Sequence, residues 1–119
     1  HDFEFLPAGG KPGWEVLFDA ASPAVKAELD IFWTVKAGQD PLAIAGRYPG
    51  RIALVHAKDA GPAPERAMTD VGAGTIPFAT ILPELRKQGL AYAFVEHDNP
   101  TDPLATVKAG LTHLNGLKV

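Results

Sequence analysis

Four short runs rich in aromatic and β-branched residues recur along this chain, each closed by turn residues and followed by apolar residues at helical intervals; no other feature restricts the fold as much. The first run is 1–6 (HDFEFL), closed by Pro7, Gly9, Gly10, Pro12 and Gly13 before Trp14, Leu17 and Phe18 recur at helical spacing. The second is 27–33 (AELDIFW). After Ala37-Gly38-Gln39, Asp40-Pro41 has the form of an N-cap with proline at the first helical position, and that helix should end near Tyr48-Pro49-Gly50. The third run, 51–59 (RIALVHAKD), is bounded by Pro49-Gly50 and by Gly61-Pro62. A loop over 61–74 then leads to a helix over 77–88, which Gly89 closes as a left-handed C-cap. The fourth run, 91–97 (AYAFVEH), precedes Asp98 to Pro103 and a helix ending near Asn115-Gly116.

Strand and helix in regular alternation predict parallel strands joined by right-handed helical crossovers, so the class is α/β. Eight such units in a closed barrel take about 250 residues. Four units in 119 residues therefore read as half a barrel, with a small open four-stranded α/β sheet as the alternative. Neither a low-complexity segment nor a linker divides the chain, so 1–119 is expected to be one unit. With 46% hydrophobic and 21% charged residues the composition is that of an ordinary globular core, which argues against disorder.

Charge excludes some partners. A formal net charge of −3 leaves no broad basic field for a phosphate backbone, so nucleic acid is not expected. Apolar runs fall short of the roughly 20 residues that span a bilayer, so no membrane helix is expected. A soluble protein follows, cytoplasmic or periplasmic, and zero cysteines leave the redox compartment open. Any metal must take oxygen and nitrogen ligands.

Strand residues alternate between faces, which groups Glu28, Asp30 and Phe32, then Leu54, His56 and Lys58, then Tyr92, Phe94, Glu96 and Asp98. Each strand thus carries ionisable groups toward its C-terminal end, where ligands bind in parallel α/β proteins. A carboxylate in an apolar strand costs several kcal/mol if buried alone, so Asp30, His56 and Glu96 on neighbouring strands suggest one shared partner. Two carboxylates and an imidazole suit Mn²⁺ first, with Mg²⁺, Co²⁺ or Zn²⁺ as alternatives. A His–carboxylate hydrogen bond without metal is the competing reading.

Other residues take plainer readings. His97 faces away from Glu96 and is expected in packing or the following loop, and His113 is expected to face solvent from the last helix. Lys58 is suited to a substrate oxyanion or to a surface pair with Asp59. Gly72-Ala73-Gly74-Thr75-Ile76 could offer N–H groups to a phosphate but reads better as a plain loop. An imidazole-plus-amine copper site at His1 has no other support.

HDFEF, ELDIFW with AGQDP, RYPGRIALVHAKD, VGAGTIPF and FVEHD, in that order, resemble the C-terminal half of the sugar phosphate isomerase/epimerase family, whose fold is the xylose isomerase-like TIM barrel. The resemblance runs over nearly all of the chain. It implies strands equivalent to the fifth to eighth, with Asp30 on the sixth, His56 on the seventh and Glu96 on the eighth as ligands of a divalent metal. It places His1 at the end of a fifth-strand motif whose own ligand would lie just ahead of it. It further implies a sugar or sugar-phosphate isomerase or epimerase acting by proton transfer through a metal-stabilised enediolate. Glu96 would be ligand and general base, with Lys58 or His1 stabilising charge on oxygen. The alternatives are a non-catalytic half-barrel or assembly module, or a metal-dependent hydrolase or lyase of the same superfamily. A half-barrel would expose its first and last strands and an inner face with Phe3, Phe5, Phe32, Leu54, Tyr92 and Phe94, so a homo-oligomer or association with an N-terminal half is expected.

Overall fold

The computed structural model describes residues 1–117. Asp2–Phe5 forms a single 3-10 turn, so the strand expected over 1–6 is corrected. Backbone N–H groups of Glu4 and Leu6 donate to the carbonyls of His1 and Phe3, and the segment satisfies itself locally. β-prone side chains make a strand only where a neighbour completes the ladder, and here the backbone turns before one is met. A two-residue ladder follows, β1 (Pro7–Ala8) against β2 (Lys11–Pro12), turned by Gly9 and Gly10 at φ of 65° and 90°. The helix α1 (Gly13–Ala20) then carries Trp14, Leu17 and Phe18.

The strand β3 (Ala27–Asp30) stops three residues short of its expected end. Asp30 is the reason: its Oδ1 accepts from the Trp33 backbone N–H at 2.9 Å, and its carbonyl accepts from the Thr34 hydroxyl at 2.7 Å. It is therefore the N-cap of α2 (Ile31–Lys36), and capping overrides the strand propensity of Ile-Phe-Trp. In consequence Phe32 does not share a sheet face with Glu28 and Asp30; it is 2% exposed, in the core. The helix α3 (Pro41–Arg47) starts as expected, with the Asp40 side chain accepting from Leu42 N, and ends at Tyr48.

Next come β4 (Ile52–Ala57), β5 (Asp59–Ala60), β6 (Met68–Thr69), α4 (Phe78–Lys87), β7 (Tyr92–Val95) and α5 (Pro103–Gly116). Gly89 follows α4 at φ 102°, and Asp102 caps α5. The parallel sheet has the order β3-β4-β7, three strands where four were expected. Its register sets Asp30 opposite His56, and His56 opposite Phe94. Behind it, Ile31, Phe32, Ile44, Phe78, Ile81 and Leu85 pack with Val55 and Ala57 as one core.

The loop over 61–74 is not plain, because β6 pairs with β5 inside it. Asp59 is 1% exposed, so the surface pair with Lys58 is also corrected. Its carboxylate accepts four backbone N–H groups, from Ala60 at 2.8 Å, Gly72 at 2.9 Å, Gly74 at 3.0 Å and Ile76 at 3.1 Å. A Cβ on Gly74 would lie 2.3 Å from Asp59 Oδ1, so only glycine admits this approach. His113 is half-buried against Gly72 and edge-on to Phe78, rather than facing solvent.

Candidate metal and proton-transfer site

The three parallel strands end side by side, and the side chains that leave their C-terminal ends on the open face are charged. Glu96 lies just past β7, where its N–H continues the ladder to Ala57 O at 3.1 Å. One ligand atom from each of Asp30, His56 and Glu96 lies within 4.8 Å of the other two. His56 Nδ1 is 3.4 Å from Asp30 Oδ2 and 3.3 Å from Glu96 Oε2, and its Nε2 is 3.2 Å from Glu28 Oε1. Face alternation had grouped these residues, and the parallel register brings the groups together.

Lys58 stands among them. Its side chain is 6% exposed, and Nζ lies 2.7 Å from Asp98 Oδ1, 3.0 Å from Glu96 Oε2 and 3.2 Å from Asp30 Oδ2. Burial works to lower the pKa of this ammonium, but the carboxylates of Asp98, Glu96 and Asp30 outweigh it and hold the pKa above the ordinary lysine range. Lys58 is thus a fixed positive charge through the neutral range.

Glu96 Oε2 is shielded from water and lies 3.0 Å from Lys58 Nζ and 3.3 Å from His56 Nδ1. Two carboxylates and an imidazole are also the donor set that hard and borderline divalent cations take, so these residues fit such an ion.

A cavity of about 680 Å³ opens beside the cluster. The residues of the cluster and the apolar Trp14, Phe18, Leu29 and Trp33 share its wall. His1 is on this wall, with its ring 5.0 Å from that of Trp33 and 5.5 Å from that of Phe3, and it lies outside the three-residue cluster. Glu28 and Asp98 had been grouped by face but given no role, because their partners, His56 and Lys58, are on other strands. His97 is a loop residue whose Nδ1 accepts from Asn99 N. No described helix is long and apolar enough to cross a membrane.

No family model and no curated protein matches the chain. Solved structures do. A sugar phosphate isomerase/epimerase from Parabacteroides distasonis superposes with a TM-score of 0.79 at 24% identity, over 99% of this chain and 43% of that one. A xylose isomerase domain protein from Planctomyces limnophilus gives 0.70 at 22%, over 88% and 42%. A probable 3-DHS dehydratase from Bacillus anthracis gives 0.69 at 19%, over 88% and 43%. The chain spans less than half the length of these neighbours. They establish the fold as that of the xylose isomerase-like TIM barrel over that span, the group of proteins that the five sequence motifs resemble.

Proposed function

We propose that this chain carries the metal-binding mouth of a sugar isomerase or epimerase, as the C-terminal half of its barrel. The observation that supports the reading is the convergence of Asp30, His56 and Glu96, with one ligand atom of each within 4.8 Å of the others. Asp30, His56 and Glu96 would hold the divalent cation, Mn²⁺ first, which when bound supplies Lewis-acid stabilisation of charge on substrate oxygen. Glu96 takes the proton from the carbon beside the substrate carbonyl; the C–H electron pair becomes the carbon–carbon double bond of an enediolate. Lys58, held charged among its three carboxylates, places a fixed positive charge beside the oxygen on which negative charge grows. Return of the proton to the neighbouring carbon, with the hydroxyl proton passing from one oxygen to the other, isomerises the sugar; epimerisation needs a second acid on the opposite face, a carboxylate from the other half of the barrel. His1, beside Trp33 on the cavity wall, is the alternative group for stabilising charge on substrate oxygen.

The outer edges of β3 and β7 are unpaired among the described residues, and Tyr92 is 68% exposed on the open face. A groove lined by Leu82, Leu90, Leu111 and Leu114 runs beside β7. A second copy, or the rest of a barrel, closing on these edges belongs to the same reading.

One observation favours a second reading, in which the cluster is a structural ion-pair network in a non-catalytic module: Lys58 already neutralises part of the charge of Asp30, Glu96 and Asp98. Calorimetric titration with Mn²⁺ separates the two. Weak binding that falls about tenfold or more in Asp30→Ala and in His56→Ala supports the metal site. Absent binding, or binding untouched by both substitutions, overturns it. Light scattering on the same samples tests the open edges: a compact monomer of 12.6 kDa without exposed-apolar dye binding would mean that they are covered internally and overturn the half-barrel reading.

A further inference from the structure

We infer that Lys58 is the resident cation of the Asp30, His56 and Glu96 cluster, and that Asp98, outside the cluster, receives its ammonium when a divalent ion takes Asp30 and Glu96. Asp98 is thus a positioning residue that acts through Lys58. The inference rests on the metal-site reading and adds to it what holds the ligand oxygens before an ion arrives.

The three carboxylates around Lys58 are of two kinds. Asp30 has one oxygen committed, since Oδ1 caps α2 through the Trp33 N–H. Its Oδ2 is left to face the cluster, 3.2 Å from Lys58 Nζ and 3.4 Å from His56 Nδ1. Glu96 Oε2 is placed in the same way, 3.0 Å from Nζ and 3.3 Å from His56 Nδ1. The ammonium therefore faces one oxygen of each carboxylate that could ligate an ion. Asp98 differs, because it is not a member of the cluster, yet Nζ donates to its Oδ1 at 2.7 Å, the shortest contact of the three. The backbone that carries this carboxylate is anchored as well. Its N–H donates to Met68 Sδ at 3.2 Å, which ties the segment after β7 to β6.

Charge forces an exchange. An ammonium and a divalent ion that face the same two oxygens repel one another across a few ångströms, where little water screens them. Lys58 has a flexible four-carbon stem that ends in a point charge, so Nζ can give up two oxygens and keep the third. Its side chain is 6% exposed, and without Asp98 the displaced ammonium would be a shielded charge with no partner. Asp98 keeps it paired. The resident cation thus lowers the affinity of the cluster for an ion, and Asp98 restores part of it.

The test titrates Mn²⁺ calorimetrically into the full chain, Lys58→Met, Lys58→Gln, Asp98→Asn and the double variant Lys58→Met/Asp98→Asn, with circular dichroism as the check on folding. Removing the resident cation should tighten Mn²⁺ about tenfold. Asp98→Asn keeps the shape and the N–H to Met68 but loses the receiver. It should weaken Mn²⁺ about tenfold in the unsubstituted chain and no more than about twofold once Lys58 is neutral. An Asp98 that ligates the ion, or acts only through its field, would weaken both backgrounds alike, so equal losses overturn the inference. Neutral Lys58 variants that bind Mn²⁺ no tighter than the unsubstituted chain overturn it too, because the lysine would then be a scaffold for the carboxylates. Should neither neutral variant fold, ¹³C-lysine NMR of the unsubstituted chain with Mg²⁺ decides: the Lys58 ε-methylene signal should move saturably, and a signal that keeps its position while Mg²⁺ binds overturns the inference. The outcomes also keep the two claims apart. Mn²⁺ binding that appears only in the neutral Lys58 variants supports the inference and removes the metal site from the unsubstituted chain; binding that falls in Asp30→Ala but ignores Lys58 and Asp98 does the reverse.

Discussion

Phe78 in α4 is 1% exposed, whereas Phe3 in the opening turn is 61% exposed, although both are phenylalanines in a chain with one core. The contrast extends to whole segments. Every residue from 1 to 26 is at least partly exposed, while the core runs from Ile31 to Leu90. What holds 1–26 is edge contact and charge. Trp14 packs against Tyr48 with ring centroids 5.4 Å apart, Phe18 lies 5.6 Å from Tyr48, and the Arg51 guanidinium sits 4.6 Å over Phe18. Lys11 pairs with Asp19, Tyr48 donates to Asp19, and Glu15 pairs with Arg47. The candidate site lies where the two regimes meet, its cavity lined by Phe5, Trp14, Leu17 and Phe18 from the first and by Leu29, Asp30, Trp33, His56 and Lys58 from the second.

The largest effect should come from the buried side. Phe78→Ala leaves a cavity in the core and should lower stability by about 3–5 kcal/mol in denaturant unfolding. Trp14→Ala, from the exposed region, should cost well under half of that. Equal losses would break the comparison.

Asp59→Ala should come next, at about 2–4 kcal/mol, because four backbone N–H groups lose their acceptor together. Hydrogen exchange should rise first at Gly72, Gly74 and Ile76, while α1 keeps wild-type rates. Loosening of α1 instead would mean that the two regions are coupled through this loop.

Tyr48→Phe should have the smallest effect, about 0.5–1 kcal/mol and confined to α1 and β1-β2. Burial, with the hydrogen bond and charge of Asp19, pushes the Tyr48 phenol up from 10.0 to about 12. Its neutral form is favoured by folding, so the contribution is fully present below pH 10 and is lost as pH rises through about 12. Exchange in α1 should therefore accelerate over that window in the wild type and not in Tyr48→Phe. Identical pH profiles would assign the anchoring of α1 to its aromatic contacts alone.

Much of the fold is legible in short stretches because its signals are local. Asp40-Pro41 opens α3, Gly89 follows α4 and β4 lies between Pro49-Gly50 and Gly61, each from chemistry contained within a few residues. The grouping of Asp30, His56 and Glu96 was also legible, since face alternation is local and parallel strands that begin after similar turns end at similar levels.

The rest depended on residues distant in sequence. Residues 1–6 have strand composition but no ladder, because a strand is completed by its neighbour and not by its own side chains. Asp30 serves both as a β3 side chain on the open face and as the N-cap of α2, and only the folded chain shows the second role cutting the strand short. Lys58 stands among carboxylates from β3 and from the end of β7, and Asp59 gathers a loop that closes over Gly74. The sequence alone therefore determined that Asp30, His56 and Glu96 share one face, because that depends on backbone geometry repeated every two residues, while Phe32 left that face once the Asp30 cap turned the strand into α2. The tertiary structure decided which charge meets which, because long-range register and packing set the distances on which electrostatic pairing depends.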